Sequence, residues 1–288
     1  INFPRWAWDA FVVSRSYPWI GEIRTFGRDL VSTDLPWWYV PSWFVAQSPV
    51  LFLGFVIIGL LAWLMCVASE FARAHSTDCD RSKPRAIALT PFAGQALALP
   101  IVMVASGATL YDGIRHLSFA IPALVVLTTP LVMRVLTAGS GSRNRSGLIM
   151  SLMAGILIAI PVTNLAASIR WFPYMYAHVN LPTAAFDSDR DWEYDYWGTT
   201  VLEGASRLRQ LGVSEVVVLP EIDRRGTAEV ADILRVTDTP NDGLYGVYVF
   251  RRFDSAIPAT GCERVFQISR AGVVLGEAAI CGEGSGVP

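Results

Sequence analysis

Charged residues are scarce in this chain, and their scarcity is the first indication of its class. Asp, Glu, Lys and Arg make up 17% of the 288 residues, whereas a soluble domain contains about 25%. The mean hydropathy is +0.40, and 52% of the residues are hydrophobic. The net charge of −2 gives no basic footprint of the kind that nucleic-acid-binding proteins carry, so nucleic acid is not an expected partner. The composition therefore predicts a chain that contacts lipid.

The common cofactor and nucleophile motifs are also absent from the sequence. It contains no GxGxxG, no P-loop, no GxSxG and no CxxC pair, and no cluster of cysteines and histidines suggests a metal site. No signal-peptide pattern precedes the first domain, and the chain begins with Ile1 rather than Met. We therefore expect the sequence to be a piece of a longer protein.

What the sequence does contain is four long apolar segments. They begin at Pro49, Ala86, Leu117 and Gly147, and each is about as long as the 20 residues that a transmembrane helix needs. Several contain prolines, which transmembrane helices tolerate when neighbouring groups satisfy the freed carbonyls. The sequence predicts a polytopic α-helical membrane protein with four spans in residues 49–170, preceded by an outer aromatic segment, residues 1–48.

Basic residues between the segments predict the orientation. The loop after the first segment carries Arg73, Arg81, Lys83 and Arg85, and the loop after the third carries Arg143 and Arg145. Because cytoplasmic loops are enriched in Lys and Arg, these two loops are expected in the cytoplasm. Residues 171–288 then form an extracytoplasmic domain.

The cysteines agree with this orientation. Cys262 and Cys281 lie in two predicted strands joined by the turn Arg-Ala-Gly, which would bring them together. Their predicted disulfide would persist in an oxidising compartment, while Cys66 and Cys79 fall on the reducing side. The alternative is that all four thiols are free.

Aromatic residues flank the apolar segments. Trp37, Trp38, Tyr39, Trp43 and Phe44 precede the first segment, and Trp171, Phe172, Tyr174 and Tyr176 follow the last. Both groups are expected to anchor at the outer membrane interface, where amphipathic rings accumulate. The alternative for the first group is a groove lining for a lipid-linked or sugar ligand.

The sequence pattern of residues 171–288 predicts an α/β or α+β domain. Residues 199–211 place Val201, Leu202, Ala205, Leu208 and Leu211 on one helical stripe, with Gly212 ending the helix. The segments SEVVVLP and LYGVYVFRRF then predict strands, separated by a short helix in TAEVADILRV.

Ionisable residues cluster in LYDGIRH, just before the third apolar segment. Tyr111, Asp112, Arg115 and His116 could form an outward-facing phosphate site, because the planar guanidinium suits an oxyanion and histidine can share it. The structural alternative is that Asp112 starts a helix while Arg115 extends to the interface.

Acidic and aromatic residues alternate in DSDRDWEYDYWGTT. Asp195, Tyr196 and Trp197, together with Trp38 of the first aromatic segment, are candidates for contact with a sugar or acceptor. Asp187, Asp189 and Asp191 resemble the start of a calcium loop and suggest a divalent cation, although the sequence does not supply the Gly and Glu that such a loop requires. The alternative is a solvated linker that caps the next helix.

The order of DLPWWYVPSWF, LYDGIRHLSFAIPAL, PYMYAHVN and EYDYWGTTVLEGASRL resembles the C-terminal half of bacterial GT-C glycosyltransferases related to family 39, which are similar to protein O-mannosyltransferases. The chain departs from the family pattern at AHVN and at Thr199. The resemblance implies a membrane enzyme that takes a sugar from a polyprenyl-phosphate carrier at the outer face of the bacterial cytoplasmic membrane.

In such enzymes the base is an acidic residue of the first outer loop, in an N-terminal half that has no counterpart here. The catalytic residue is therefore expected outside this chain, and the phosphate role of Arg115 and His116 is inferred from their chemistry alone. The alternative function is a non-catalytic, transferase-derived subunit that scaffolds a larger membrane complex.

Overall fold

The computed structural model describes residues 5, 8, 9, 12, 20–73, 86–138, 143–186, 191–220, 224–238, 243–251, 256–258 and 261–282. The chain divides into two compact units. Unit 1 comprises residues 1–20 and 32–166, and unit 2 comprises residues 21–31 and 167–288. The sequence does not predict that residues 21–31 group with the C-terminal domain. Predictions that rest on Cys79, Arg81, Lys83, Arg85, Asp187 and Asp189 lie outside the described residues.

Unit 1 is helical. Its helices are α1 (Tyr39–Gln47), α2 (Val50–Arg73), α3 (Ala86–Ala105), α4 (Ala120–Leu127), α5 (Thr129–Ala138) and α6 (Arg143–Trp171), the last of which continues into unit 2. Among the described residues, three helical stretches are long and apolar enough to cross a membrane, namely Val50–Ala72, Ala86–Ala105 and Ser151–Trp171. The third predicted segment is a shorter apolar stretch, Ala120–Val135.

Proline explains why that segment divides into α4 and α5. Pro130 has no N–H to donate to the carbonyl of Val126, four residues earlier. The hydroxyl of Thr129 donates to that carbonyl instead, at 2.6 Å. Thr90 does the same for the carbonyl of Ile87 ahead of Pro91, also at 2.6 Å. These threonines satisfy the carbonyls that the two prolines leave without a helical donor.

The core of unit 1 lies between α2, α3 and α4. Its buried members include Phe52, Val56, Trp63, Ala96, Leu124 and Leu127. The indole of Trp63 donates to the carbonyl of Ala86 at 2.9 Å, and the carboxylate of Glu70 accepts from the backbone N–H groups of Ala86 and Ile87 at 2.7 and 3.1 Å. Glu70 therefore satisfies two of the N–H groups that the start of α3 leaves without a helical partner.

Two rings of the aromatic group before the first apolar segment, Tyr39 and Trp43, are not exposed as an interfacial anchor would be. The segment forms the short helix α1, but Tyr39 and Trp43 are fully buried in unit 1, and Trp37 is the ring that stays exposed. Composition alone cannot distinguish an interfacial belt from a core, because amphipathic rings suit both environments.

Unit 2 combines helices with two sheets. A hairpin pairs β1 (Glu22–Thr25) with β2 (Arg28–Val31). The second sheet contains β3 (Glu215–Leu219), β4 (Arg235–Val236), β5 (Tyr245–Phe250), β6 (Cys262–Arg270) and β7 (Val273–Cys281), in the order β4-β3-β5-β7-β6. β3 runs parallel to β4 and β5, whereas β7 is antiparallel to both its neighbours. The described part of unit 2 also contains a short 3₁₀ helix, Met175–Ala177, and the helices α7 (Leu181–Phe186), α8 (Thr200–Gln210) and α9 (Arg224–Ala231).

Several local predictions for unit 2 are confirmed. Helix α8 buries Val201, Ala205 and Leu208 and is followed by Gly212 with a positive φ of 86°. Leu211 is an exception: the helix ends before it, and its side chain is exposed. Cys262 and Cys281 are register partners on β6 and β7 and form a disulfide.

Candidate functional site

The LYDGIRH cluster of unit 1 is built on a tight turn between α3 and α4. Asp112 and Gly113 both have positive φ values, 58° and 66°. The side-chain oxygen of Gln47 accepts a hydrogen bond from the backbone N–H of Ile114 at 3.0 Å. The positive φ favours glycine at position 113, and a Cβ there would also displace the end of the Gln47 side chain from this hydrogen bond. Gln47, the last residue of α1, therefore holds the turn through this hydrogen bond.

The turn brings all four predicted site residues together. Nη1 of Arg115 lies 2.8 Å from Oδ2 of Asp112. The Arg115 guanidinium also lies 5.0 Å from the centre of the Tyr111 ring, and that ring meets the His116 ring edge-on at 4.5 Å. Asp112 is buried, but 42% of the Arg115 side chain is exposed. The buried Asp112 carboxylate therefore orients the Arg115 guanidinium, which remains accessible to solvent.

Asp112 and Arg115 form an ion pair, but the backbone is not the helix start that the structural alternative predicts. Asp112 lies in the left-handed region, and only Arg115–Leu117 form a short 3₁₀ turn. Neither that turn nor α4 has a side-chain hydrogen bond at its N-cap position. The predicted alternative, in which Asp112 starts a helix, is therefore not the geometry observed.

Histidine contributes no positive charge to this cluster at neutral pH. Burial lowers the pKa of His116 below its ordinary 6.5, and the neighbouring positive charge of Arg115 lowers it further. Its Nε2 is buried and has no hydrogen-bond partner among the described residues. Arg115 is therefore the cation of the cluster, and Asp112 is its counterion.

The lowered pKa of His116 predicts a pH-dependent stability. Since the unfolded state binds a proton near 6.5 and the folded state only at lower pH, this contribution is complete above 6.5 and decreases as the pH falls through that value. The thermal midpoint of the detergent-solubilised chain should decrease between about pH 7.5 and about pH 5.5. The thermal midpoint of His116→Gln should decrease less over the same pH interval. Equal changes in the thermal midpoint for the two chains would contradict the prediction.

The second cluster, in unit 2, is centred on Asp195. Its carboxylate is fully buried and accepts hydrogen bonds from the Tyr176 and Thr200 hydroxyls. The backbone N–H groups of Thr199 and Thr200 also donate to it, at 3.0 and 3.1 Å. Because these N–H groups lie at the start of α8, Asp195 caps the helix from four residues before its N-cap position, Thr199. It does so from a buried site, not from the solvated linker of the predicted alternative.

The electrostatics of this cluster follow from its burial. Burial raises the pKa of Asp195, and the hydrogen bonds from Thr200, Tyr176 and Thr199 oppose that shift. Burial and the Asp195 charge raise the pKa of Tyr176. The phenol therefore stays protonated and donates to the carboxylate. In this conformation the Asp195 carboxylate binds the protein's own donors rather than facing solvent.

Trp197 is an exposed aromatic residue of the second cluster. Half of its surface is exposed, and its indole stacks on the Tyr176 ring with centroids 4.8 Å apart. Tyr196 is buried, and its hydroxyl donates to the Tyr176 carbonyl at 3.0 Å. Contact of Asp195, Tyr196 or Trp197 with a sugar remains a prediction, for which Trp197 has the accessible ring.

Trp38, the fourth predicted sugar contact, belongs to unit 1 and is partly buried. Its carbonyl accepts from the backbone and the hydroxyl of Ser42, at 3.0 and 2.7 Å, where α1 begins. A divalent cation also remains a prediction. Among the described residues, no three or more His, Cys, Asp or Glu side chains are grouped so that they could hold a metal ion.

Two important partners were not predicted from the sequence. Gln47, which holds the Asp112 turn, is separated from Ile114 by 67 positions. Glu203 accepts from Tyr174 at 2.6 Å and pairs with Arg207 at 2.5 Å and with Arg270 at 3.4 Å. The Glu203–Arg207 spacing of four is a recognisable helical signal, whereas the contacts with Tyr174 and Arg270 depend on the tertiary fold.

Comparisons with protein-family models, with curated proteins and with solved structures give no match. The proposed function therefore depends on the residues of the chain and their geometry.

Proposed function

We propose that this chain is part of a membrane glycosyltransferase that takes a sugar from a polyprenyl-phosphate carrier, with Arg115 binding the carrier phosphate. The observation that carries the proposal is the accessible Arg115 guanidinium, which the buried Asp112 orients at a turn between two apolar helical stretches. The resemblance of LYDGIRH and EYDYWG to the family supplies the reaction class.

The membrane placement belongs to the same proposal. Three helical stretches have the length and composition of spans, and Ala120–Val135 would provide the fourth as a proline-broken element. The basic loops favour an arrangement in which the Arg115 turn and unit 2 lie on the outer side of a bacterial cytoplasmic membrane. The Cys262–Cys281 disulfide supports this, because such bonds persist in oxidising compartments.

Arg115 has a definite chemical role in this reaction. The bond between the sugar C1 and the phosphate oxygen breaks, the acceptor hydroxyl bonds to C1, and its proton passes to a base outside this chain. The departing phosphate gains negative charge as the bond breaks. A positioned guanidinium stabilises that charge, since hydrogen bonds between charged groups are the stronger ones. Neutral His116 would contribute hydrogen bonding rather than charge.

The test is binding of polyprenyl phosphate to the full chain, measured by native mass spectrometry from detergent. Losing one charge-assisted hydrogen bond of about 1.5–3 kcal/mol predicts that Arg115→Ala weakens binding by about 10- to 100-fold. Arg115→Lys should retain part of the affinity, because it keeps the charge but not the planar fork. Arg134→Ala, which removes another exposed arginine of unit 1, is the matched control.

One observation favours the alternative, a scaffolding subunit. Asp112 already neutralises Arg115, so the pair could serve only to hold the turn. In that case Arg115→Ala and Asp112→Asn would destabilise unit 1 to a similar extent, and neither would change polyprenyl-phosphate binding. Unchanged binding in Arg115→Ala would contradict the transferase proposal and leave the scaffold.

A further inference from the structure

We propose that residues 172–186 of unit 2 form a lipid-binding surface, which we call the 172–186 segment, lying in the membrane interface next to the end of α6. The inference rests on the proposed membrane insertion of α6 and goes beyond it, because it assigns a membrane contact to the C-terminal domain itself. The occupant is the boundary between lipid headgroups and acyl chains.

The composition of the segment suits that boundary. The sequence FPYMYAHVNLPTAAF contains no Asp, Glu, Lys or Arg, and the charged residues that bracket it are Arg170 and Asp187. Four of its large apolar side chains are exposed, namely Phe172 (66%), Met175 (48%), Leu181 (63%) and Phe186 (82%). Exposed apolar residues are ordinary when scattered, but four in a charge-free stretch indicate an interaction surface.

Other residues of the segment are fixed to the domain. Tyr174, Ala177, Val179 and Asn180 are buried. The Tyr174 hydroxyl donates to Glu203 of α8 at 2.6 Å, and Arg270 of β6 donates to the Phe172 carbonyl at 3.1 Å. The exposed side chains therefore extend from an anchored backbone, and the domain presents them without a folding step on binding.

Continuity with α6 identifies lipid as the occupant. The stretch Ser151–Trp171 is apolar, and none of its most hydropathic window is buried inside the protein. Helix α6 ends at Trp171. Phe172 is the next residue, and Met175 is four residues after Trp171. Since an extended chain spans at most about 3.5 Å per residue, Met175 lies within about 14 Å of the helix end. If α6 spans the bilayer, these residues have to lie near its surface.

The structure also corrects which rings face outward here. The sequence predicts Trp171, Phe172, Tyr174 and Tyr176 as one interfacial belt. Trp171 and Tyr174 are instead buried, at 2% and 5% exposure, and Phe172 is exposed. The lipid-binding surface is therefore made mainly of simple apolar side chains, held in place by buried amphipathic rings behind them.

The test is depth measurement by spin labelling in the full chain, reconstituted in phosphatidylethanolamine–phosphatidylglycerol nanodiscs. In a Cys66→Ala, Cys79→Ser background with the disulfide intact, Phe172→Cys, Leu181→Cys and Phe186→Cys each carry one nitroxide. Power saturation compares access of apolar oxygen with access of a water-soluble nickel chelate. Leu244→Cys, at an exposed leucine elsewhere in unit 2, and Ile158→Cys, at an exposed residue within α6, are the controls.

We expect oxygen-to-nickel access ratios for the three segment positions that are several-fold above that of Leu244→Cys and below that of Ile158→Cys. If the segment positions have oxygen-to-nickel access ratios as low as that of Leu244→Cys while the ratio of Ile158→Cys is high, only the lipid contact of the segment is overturned. Low access to both reagents at the segment would indicate coverage by protein and would also overturn it. A water-like ratio at Ile158→Cys would instead overturn the membrane insertion of α6.

Discussion

Replacing Asp195 by alanine should destabilise unit 2 by about 3 kcal/mol. The carboxylate is fully buried and accepts two hydroxyls and two backbone N–H groups at the start of α8. Alanine removes the helix cap and leaves those donors without their acceptor. Each buried donor left without its acceptor costs about 1–3 kcal/mol, and removal of the buried carboxylate also removes its own desolvation cost, which offsets part of that loss.

Hydrogen exchange measured by mass spectrometry on the full chain would detect this loss locally. Protection of the α8 amides should decrease by about 100-fold, since 1.4 kcal/mol corresponds to a factor of ten. Tyr176→Phe, which removes one donor and leaves the carboxylate, should produce a smaller decrease. Asp238→Ala is the matched control, because Asp238 is an exposed carboxylate of the same unit. Equal protection in Asp195→Ala and Asp238→Ala would contradict the capping role.

Local periodicity and turn chemistry were sufficient to predict most of the ordered elements of unit 2. The helical stripe of Val201, Ala205 and Leu208 is buried as expected, and the strands on either side of the Arg-Ala-Gly turn bring Cys262 into register with Cys281. These features depend on neighbours within one helix turn or one hairpin, so the sequence alone specifies them.

The backbone of the candidate phosphate site was not predictable in the same way. A spacing of three between Asp112 and Arg115 fits a helix, but it also fits the left-handed turn that the structure contains. The choice between them depends on Gln47, whose side chain accepts from Ile114 across 67 positions. Such long-range contacts leave no periodic signal, so side-chain chemistry was predictable while backbone geometry was not.

Aromatic content was the least specific signal. Tyr39 and Trp43 were expected at a membrane interface and lie in the core of unit 1. Tyr176 was expected there too, and it donates to the carboxylate of Asp195. Rings with an apolar body and a polar edge suit an interface, a core and a buried hydrogen-bond network alike, and tertiary contacts decide among the three.

Removing the disulfide through the double substitution Cys262→Ser and Cys281→Ser should destabilise unit 2 by about 3 kcal/mol. The bridge joins residues 19 apart in sequence, and a crosslink of that length restricts the unfolded chain more than the folded hairpin. The effect should be concentrated in β6. That strand lies at one edge of its sheet, with β7 as its neighbour, so its pairing should open more readily when the constraint is lost.

Relative to the unsubstituted chain, the double substitution should therefore accelerate hydrogen exchange more in β6 than in β3 or β5, which lie further inside the sheet. Cys66→Ser is the matched control, since Cys66 is a free, partly buried thiol of unit 1, and it should leave β6 protection unchanged. A reductant added to the unsubstituted chain should reproduce the double substitution, because it opens the same bond without changing any side-chain volume. Full β6 protection after reduction would show that the hairpin register alone holds the edge strand.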